Sequence, residues 1–140
     1  MNIKKILILT FIPHILYAEV YDYKITRVID GDTVEFQAPF LPKPLKPTLS
    51  LRVYGVDTPE KLTSECEMEH ALAMEATEFT TSLVKNSKKH QIIIKNWDKY
   101  GGRVDGDIIL DGKSLRASLL EKGFAHLYYG DKKKSSWCDK

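Results

Sequence analysis

The sequence predicts a mainly β protein of the α+β class, a five-stranded Greek-key barrel with one long and one short helix. Five short segments are rich in β-branched and aromatic residues and alternate apolar with polar positions. Tight turns at residues 30–32 and 98–102 favour antiparallel hairpins over a parallel sheet. A single helical pattern lies between the third and fourth strands, an arrangement that fits a small barrel of the OB type.

The first 18 residues are expected to be a secretory signal. Lys4 and Lys5 precede an apolar run at residues 6–16, and Ala18 offers a cleavage position. The run is too short to span a bilayer. An uncleaved membrane tether is the alternative. We therefore expect a secreted or periplasmic protein without stable membrane association after cleavage near Ala18, and a single domain over residues 19–140.

The net charge of the chain does not by itself indicate a nucleic-acid partner. The chain has a formal net charge of +2, and removal of Lys4 and Lys5 leaves 19 basic against 19 acidic residues. A nucleic-acid partner must then be argued from local charge. With 43% hydrophobic and 29% charged residues, the composition is that of an ordinary globular protein.

The first hairpin is predicted from residues 20–29 and 33–37. Both segments alternate in polarity, with a shift of parity at residues 26–27 that indicates a β-bulge. The turn at residues 30–32 contains Gly31, which supplies the backbone freedom that a tight turn requires.

A proline-rich connection leads to the third strand. Residues 39–47 hold four of the six prolines, so they are expected to be an extended loop. The third strand follows at residues 49–54. Its apolar alternation places Arg52 on the face opposite the core. The strand breaks at residues 57–60, where Pro59 restrains a turn that carries two carboxylates.

The long helix is predicted to begin near Ser64. Ser64 and Glu67 have the spacing of a capping box. An apolar stripe continues to about Val84, and its predicted members are Met68, Leu72, Ala76, Phe79 and Leu83.

The remaining elements are two strands, a short helix and an extended segment. The strands are predicted at residues 91–97 and 104–110 around the turn at 98–102. Ser114 is expected to cap the short helix, and Gly123 to end it. Residues 124–129 are extended and aromatic.

Five charged residues fall at predicted strand ends: Asp32, Arg52, Asp57, Glu60 and Arg103. Asp32 and Asp57, with a backbone carbonyl, are hard oxygen donors that suit calcium or magnesium. Glu60 is placed to accept a proton from water. The two arginines suit the oxygens of a phosphate. The alternatives are that Asp32 only favours its turn and that each arginine is solvated.

Two cysteines, Cys66 and Cys138, occur in the predicted mature chain. In an oxidising compartment a disulfide between them is expected, and two free thiols are the alternative. The cysteines and histidines lack the spacing of a zinc site.

Three segments resemble the signatures of the staphylococcal-nuclease-like (thermonuclease) family. They are residues 29–34 (IDGDTV), 52–60 (RVYGVDTPE) and 98–103 (DKYGGR), and the resemblance extends from about residue 20 onward. It implies an OB-fold barrel that hydrolyses DNA and RNA with calcium rather than magnesium and leaves 3′-phosphates. The ending Trp137-Cys138 resembles a short exported branch in which the tail is fastened to Cys66. We expect a monomer.

The resemblance also implies residue roles. Metal ligation is implied for Asp32, Asp57 and the carbonyl of Thr58; general-base catalysis for Glu60; phosphoryl stabilisation for Arg52 and Arg103; terminal-phosphate contacts for Lys99 and Tyr100; and a place in the nucleotide pocket for Tyr129. One departure concerns Gly101 and Gly102, where the family pattern has a single glycine. We expect the hairpin to absorb the additional residue as a glycine bulge.

Two other functions are compatible with parts of the pattern. A nucleic-acid-binding OB-fold domain without catalysis would typically have lost carboxylates, whereas Asp32, Asp57 and Glu60 are present. In a calcium-stabilised adhesion module, Arg52 and Arg103 would have no function. We therefore expect a phosphodiesterase, with the non-catalytic binding domain as the alternative.

Overall fold

The computed structural model describes residues 19–130 and 135–139. The predicted signal segment at residues 1–18 lies outside the described residues. In the described part of the chain, no helix has both the length and the apolar character needed to cross a membrane.

The described residues form nine strands and two helices. In chain order they are β1 (Val20–Tyr21), β2 (Ile25–Asp30), β3 (Thr33–Gln37), β4 (Thr48–Val53), β5 (Val56–Asp57), α1 (Glu67–Asn86), β6 (His90–Trp97), β7 (Arg103–Leu110), β8 (Lys113–Ser114), α2 (Leu115–Glu121) and β9 (His126–Leu127). The five predicted strands are the long ones, β2, β3, β4, β6 and β7, and both predicted helices are present. The mainly β, α+β class is confirmed.

One sheet contains most of the strands, in the order β1-β6-β7-β4-β3-β2, with β8 on β7. Neighbours are antiparallel except β4 and β7, which are parallel. The first predicted strand, residues 20–29, is wrong as a single element, because Asp22 to Lys24 interrupt it. Its first part pairs with β6 and its second with β3. These two parts form opposite edges of the sheet, so one short segment curves the sheet back on itself as in a small barrel.

The predicted bulge in the first hairpin is confirmed. The register of β2 against β3 shifts between Ile25 and Arg27. A second shift follows between Val28 and Asp30. Bulges increase local twist and bend the strand, so they help β2 to follow the curvature of the sheet up to the turn that carries Asp32.

The core lies inside this curved sheet and beneath the helices. Its fully buried large side chains come from β3, β4, β5, β6, β7 and α2, and they include Val34, Phe36, Leu51, Val53, Val56, Ile92, Ile108, Leu115 and Leu119. Residues 48–53 alternate between half-buried and buried positions. The predicted outward orientation of Arg52 is therefore confirmed.

Helix α1 begins later than predicted. Its N-cap is Cys66, whose Sγ accepts a hydrogen bond from the Glu69 N–H at 3.4 Å. The capping box predicted for Ser64 and Glu67 is wrong, because the chain between Glu60 and Glu65 is held by another side chain, described below. The predicted stripe is confirmed for Ala76, which is buried, and for Phe79 and Leu83, which pack against the core, but not for Met68, which is exposed.

The buried residues of α1 are Glu69, Ala73, Ala76 and Thr80. Thr80 donates from Oγ1 to the Gly31 carbonyl at 2.7 Å. A methyl group at Gly31 would lie 2.9 Å from the Ala76 Cβ. Small residues on both sides thus let the helix rest directly on the β2–β3 turn and fix its position.

The predicted ends of α2 are confirmed. Ser114 Oγ accepts from the Ala117 N–H at 3.1 Å. At the other end Gly123, with φ of 74°, follows the C-cap Lys122. That backbone conformation is unfavourable for residues with a Cβ.

The predicted disulfide is present. Cys66 and Cys138 are joined across a sequence separation of 72 residues. Next to it, the buried Trp137 ring stacks on His126, with centroids 3.9 Å apart. The end of the described chain is therefore attached both to the start of α1 and to β9.

Candidate active site

Arg52 is the centre of the candidate site. The pairing of β3 with β4 places Arg52 opposite Thr33, and the Val53 N–H donates to the Asp32 carbonyl at 2.8 Å. Arg52 Nη2 then lies 3.4 Å from Asp32 Oδ2 and 3.6 Å from Asp57 Oδ1. One guanidinium thus bridges two carboxylates, one from the β2–β3 turn and one from the end of β5.

The burial of this cluster shapes its electrostatics. Burial raises the pKa of Asp32 to about 6, against the opposing effect of Arg52 and with a further increase from Asp30. Although burial disfavours its charge, Asp32 and Asp57 raise the pKa of Arg52 above its ordinary value. Two buried carboxylates around one permanent cation leave an excess of negative charge when both are ionised. A second cation relieves that excess.

Glu60 is half-buried, and the backbone around it is held by a second carboxylate. Glu69 Oε1 accepts from the Glu60 N–H at 3.1 Å, and Glu69 Oε2 accepts from the Glu65 N–H at 2.7 Å. The Glu69 side chain is only 6% exposed. Both of its oxygens therefore hold the two ends of the loop that joins Asp57 to α1.

The β6–β7 hairpin brings Arg103 to the site. Gly101 and Gly102 have φ of 72° and 65°, so the turn accommodates both glycines. Arg103 donates to Asp98 Oδ2 from Nη2 at 2.7 Å and from Nε at 3.0 Å. Although burial opposes it, the Tyr100 N–H and Arg103 together lower the pKa of Asp98.

A cavity of about 600 Å³ connects these groups. Seven of the residues predicted to be functional line it: Asp32, Arg52, Glu60, Lys99, Tyr100, Arg103 and Tyr129. The arrangement can hold an anion such as a phosphate between two guanidinium groups, with carboxylates on one side.

The other predicted site residues lie deeper. Asp57 is buried, and its Oδ1 lies 3.6 Å from Nη2 of Arg52, which lines the cavity. It also lines an adjacent cavity of about 880 Å³ together with Glu60 and Trp137. Thr58 is buried beside Gly31, where an added methyl group would lie 3.5 Å from the Thr58 Cβ. Cys66 and Cys138 line the second cavity and not the first.

Tyr129 stands at one end of the first cavity. Its hydroxyl accepts a hydrogen bond from Arg116 Nη2 at 2.6 Å, and its ring lies 5.6 Å from that of Tyr54. A side chain at Gly55 would come within 2.8 Å of the Tyr129 ring. The absence of a Cβ at Gly55 therefore permits this aromatic contact.

The donor set fits a hard divalent cation. Across residues 19–130 and 135–139, no group of three or more His, Cys, Asp and Glu side chains is arranged as a complete metal site. Asp32 and Asp57 supply two buried carboxylates, and the chemistry of two hard anionic oxygens suits calcium or magnesium. Such an ion would need further oxygen ligands from the Thr58 carbonyl, water or substrate.

Sequence reasoning missed several residues of the site. Glu69 falls within the predicted long helix, where the sequence assigns it no role. Asp98 was assigned only to a turn. Trp97, at the rim of the first cavity, was assigned only to a strand. No local pattern distinguishes these residues from ordinary helix, turn and strand positions.

A family model described as staphylococcal nuclease homologue matches residues 50–138, which is more than half of the chain. The match includes Arg52, Asp57, Glu60 and Arg103, whereas Asp32 precedes it. A search of curated proteins finds no match.

Proposed function

Because the chain belongs to the staphylococcal nuclease homologue family, we propose that it is a calcium-dependent nuclease. It hydrolyses phosphodiester bonds in DNA, RNA or both and leaves 3′-phosphate products. The observation that carries this proposal is the position of Arg52 between two buried carboxylates, on a cavity that Arg103 and Glu60 also line.

The arginines bind and stabilise the reacting phosphate. Arg52 and Arg103 offer planar sets of N–H donors that match phosphate oxygens. Asp98 orients Arg103 through two hydrogen bonds. Donors held in place before the reaction stabilise the additional charge of a five-coordinate phosphorus without reorganisation.

Glu60 is the general base of the proposed reaction. Its carboxylate accepts a proton from the water that attacks phosphorus, while the bond from phosphorus to the 5′ oxygen breaks and that oxygen takes up a proton from solvent. The loop that carries Glu60 is held by Glu69 through backbone N–H groups at both ends. This restraint keeps the base at a fixed distance from the two arginines, and such positioning is a large part of catalysis.

Asp32, Asp57 and the Thr58 carbonyl would hold the calcium ion. A bound calcium would lower the negative charge of the site and help to position the phosphate and the water. Burial raises the pKa of Asp32, so its carboxylate is ionised more readily when a bound cation balances it.

The disulfide supports a location outside the reducing cytoplasm. We place the protein in the periplasm or the medium, as a monomer that has lost residues 1–18. Lys99, Tyr100 and Tyr129 line the same cavity. This position supports a role for them in contacting the nucleotide that flanks the scissile bond.

The direct test is a cleavage assay. Purified protein is incubated with end-labelled DNA and RNA in calcium, in magnesium, or in chelator. We expect cleavage in calcium, less in magnesium and none in chelator, with 3′-phosphate termini on the products. Binding of the labelled strands without cleavage in calcium would contradict the proposal and favour a non-catalytic nucleic-acid-binding domain.

Variants test the residue roles. Arg52→Ala, Arg103→Ala, Glu60→Gln and Asp32→Asn should each reduce kcat/KM by orders of magnitude, since each removes a contact made in the transition state. Leu45→Ala, in the exposed proline-rich loop, is the matched control and should cleave like the unmodified protein. Normal turnover by Glu60→Gln would remove Glu60 from the base role.

A further inference from the structure

Trp97 is an unusually exposed aromatic side chain at the edge of the candidate site. It is 60% exposed at the end of β6 and lines the first cavity. Within the described residues, no aromatic ring or cation packs against its ring, in contrast to Tyr54, which has Lys95 Nζ 3.3 Å from its centroid. An indole that is left largely in water is available for a ligand.

The strand register places the backbone of Trp97 next to a position that lies two strands away from Arg52. Arg52 on β4 pairs with Asp105 on β7, and Asp105 pairs with Asn96 on β6. Trp97 is the next residue on β6 and pairs with Val104 on β7, so its backbone also lies two strands away from β4. At the usual spacing of neighbouring strands this is about 10 Å across the sheet, a distance within one nucleotide of a phosphate bound at Arg52.

The charge of Asp105 near Trp97 favours a base over a second phosphate at this position. Asp105 lies between Arg52 and Asn96, and Asn96 Nδ2 donates to its carboxylate at 3.2 Å. Asp98 follows Trp97 directly, and its carboxylate is paired with Arg103 at 2.7 Å. The Asp105 carboxylate disfavours a second phosphate beside Asn96, whereas an uncharged planar ring is compatible with it.

We propose that Trp97 is a stacking site for an unpaired base of the strand whose phosphate is bound by Arg52 and Arg103. The proposal rests on the proposed function for the nature of the ligand, and it adds that the preferred substrate is single-stranded at this position. In a duplex both faces of a base are covered by its neighbours, so a base can stack on a protein ring only when it is unstacked. Tyr100, 73% exposed on the same cavity, lies three residues along the hairpin.

The test uses the emission of the protein's own tryptophans. The chain has two, and Trp137 is only 3% exposed, so a ligand in the first cavity should act mainly on Trp97. The probes are a single-stranded decathymidylate, a duplex of thymidylate with adenylate, and inorganic phosphate. Each is titrated into the full chain in chelator, and into Glu60→Gln in calcium.

Single-stranded decathymidylate should quench the emission, while the duplex and phosphate should quench it much less. Trp97→Ala should bind the single strand roughly 5- to 150-fold more weakly, the range expected for one base stacked on an aromatic side chain. This variant is followed by the anisotropy of a labelled strand. Trp97→Phe should recover most of the affinity, and Leu45→Ala should bind normally.

Equal affinity of Trp97→Ala and the unmodified protein for the single strand would overturn the proposal, as would equal quenching by duplex and single strand or the absence of quenching in both conditions. Cleavage that is unaffected by Trp97→Ala would leave the proposed nuclease activity intact and remove only the base site. Quenching by the single strand without hydrolysis in calcium would retain the base site and contradict the nuclease activity.

Discussion

The disulfide between Cys66 and Cys138 should account for a large share of the stability. Replacing both cysteines by serine leaves the folded contacts nearly unchanged but frees the unfolded chain. For the observed separation of 72 residues, the loop-entropy model gives about 15 cal/mol/K, or about 4 kcal/mol at 25 °C. Domains of this size are typically stable by only about 5–15 kcal/mol, so the loss should be easily measured.

Urea unfolding measures this loss. The emission of Trp137 should report the transition, because its ring is buried against His126 when the chain is folded. With a slope of about 1–3 kcal/mol/M, the midpoint of the double-serine variant should be lower by about 1.5–4 M.

The double-serine variant removes the disulfide but keeps the N-cap of α1. Serine at Cys66 keeps an acceptor for the Glu69 N–H at the start of α1, so the cap is retained. The unmodified protein in reductant is the matched control and should unfold at the same midpoint as the double-serine variant. A free energy of unfolding within 1 kcal/mol of the oxidised protein would refute the loop-entropy reasoning, which sets that difference at about 4 kcal/mol.

Three further predictions concern the site and its support. Glu69→Gln should lower kcat about tenfold or more, because one N–H of the Glu60 loop loses its buried acceptor; initial rates measure this. The calcium-free protein should lose stability as the pH rises from 3.8 toward 6, since the folded state binds the Asp32 proton more tightly than the unfolded chain. The stabilisation by calcium should weaken below about pH 6, because protonated Asp32 no longer binds the ion. Thermal melts across this pH range test both effects, and Asp32→Asn should abolish them. Gly31→Ala should destabilise the fold by about 1–3 kcal/mol, because its methyl group would lie 2.9 Å from the Ala76 Cβ; urea unfolding measures the change.

Each of these has a discriminating control. In a Glu60→Gln background, Glu69→Gln should have little further effect on kcat, and a full additional loss would mean that Glu69 acts through the fold alone. If the melting temperature of Asp32→Asn depended on pH as that of the unmodified protein does, the titrating group would not be Asp32. Ala76→Gly should rescue Gly31→Ala, and failure of the rescue would contradict the proposed helix contact.

Much of the fold was predictable because its signals are local. Alternation placed Arg52 on the face away from the core, and Ser114 and Gly123 marked the ends of α2. The split of the first strand was not predictable from alternation. It depends on pairing with β6, which lies far along the chain.

The candidate site was partly predictable for the same reason. Charged residues at strand ends and turns were identified from the sequence, and seven of the predicted residues line one cavity. Glu69 was missed because a carboxylate that accepts two loop N–H groups looks, in sequence, like any solvated helix residue. Trp97 was missed because periodicity does not reveal which end of a strand remains uncovered.

The segment that joins both edges of the sheet has a consequence for folding order. During synthesis Val20 emerges early, but its partner Ile93 emerges only after the intervening hairpin and α1. The β2–β3–β4 meander can form from nearby residues, whereas the last edge must wait for the second half of the chain. Such non-local pairing slows folding, typically to the order of milliseconds to seconds. We expect closure by β1 to be a late step, with β6 left as an unprotected edge until then.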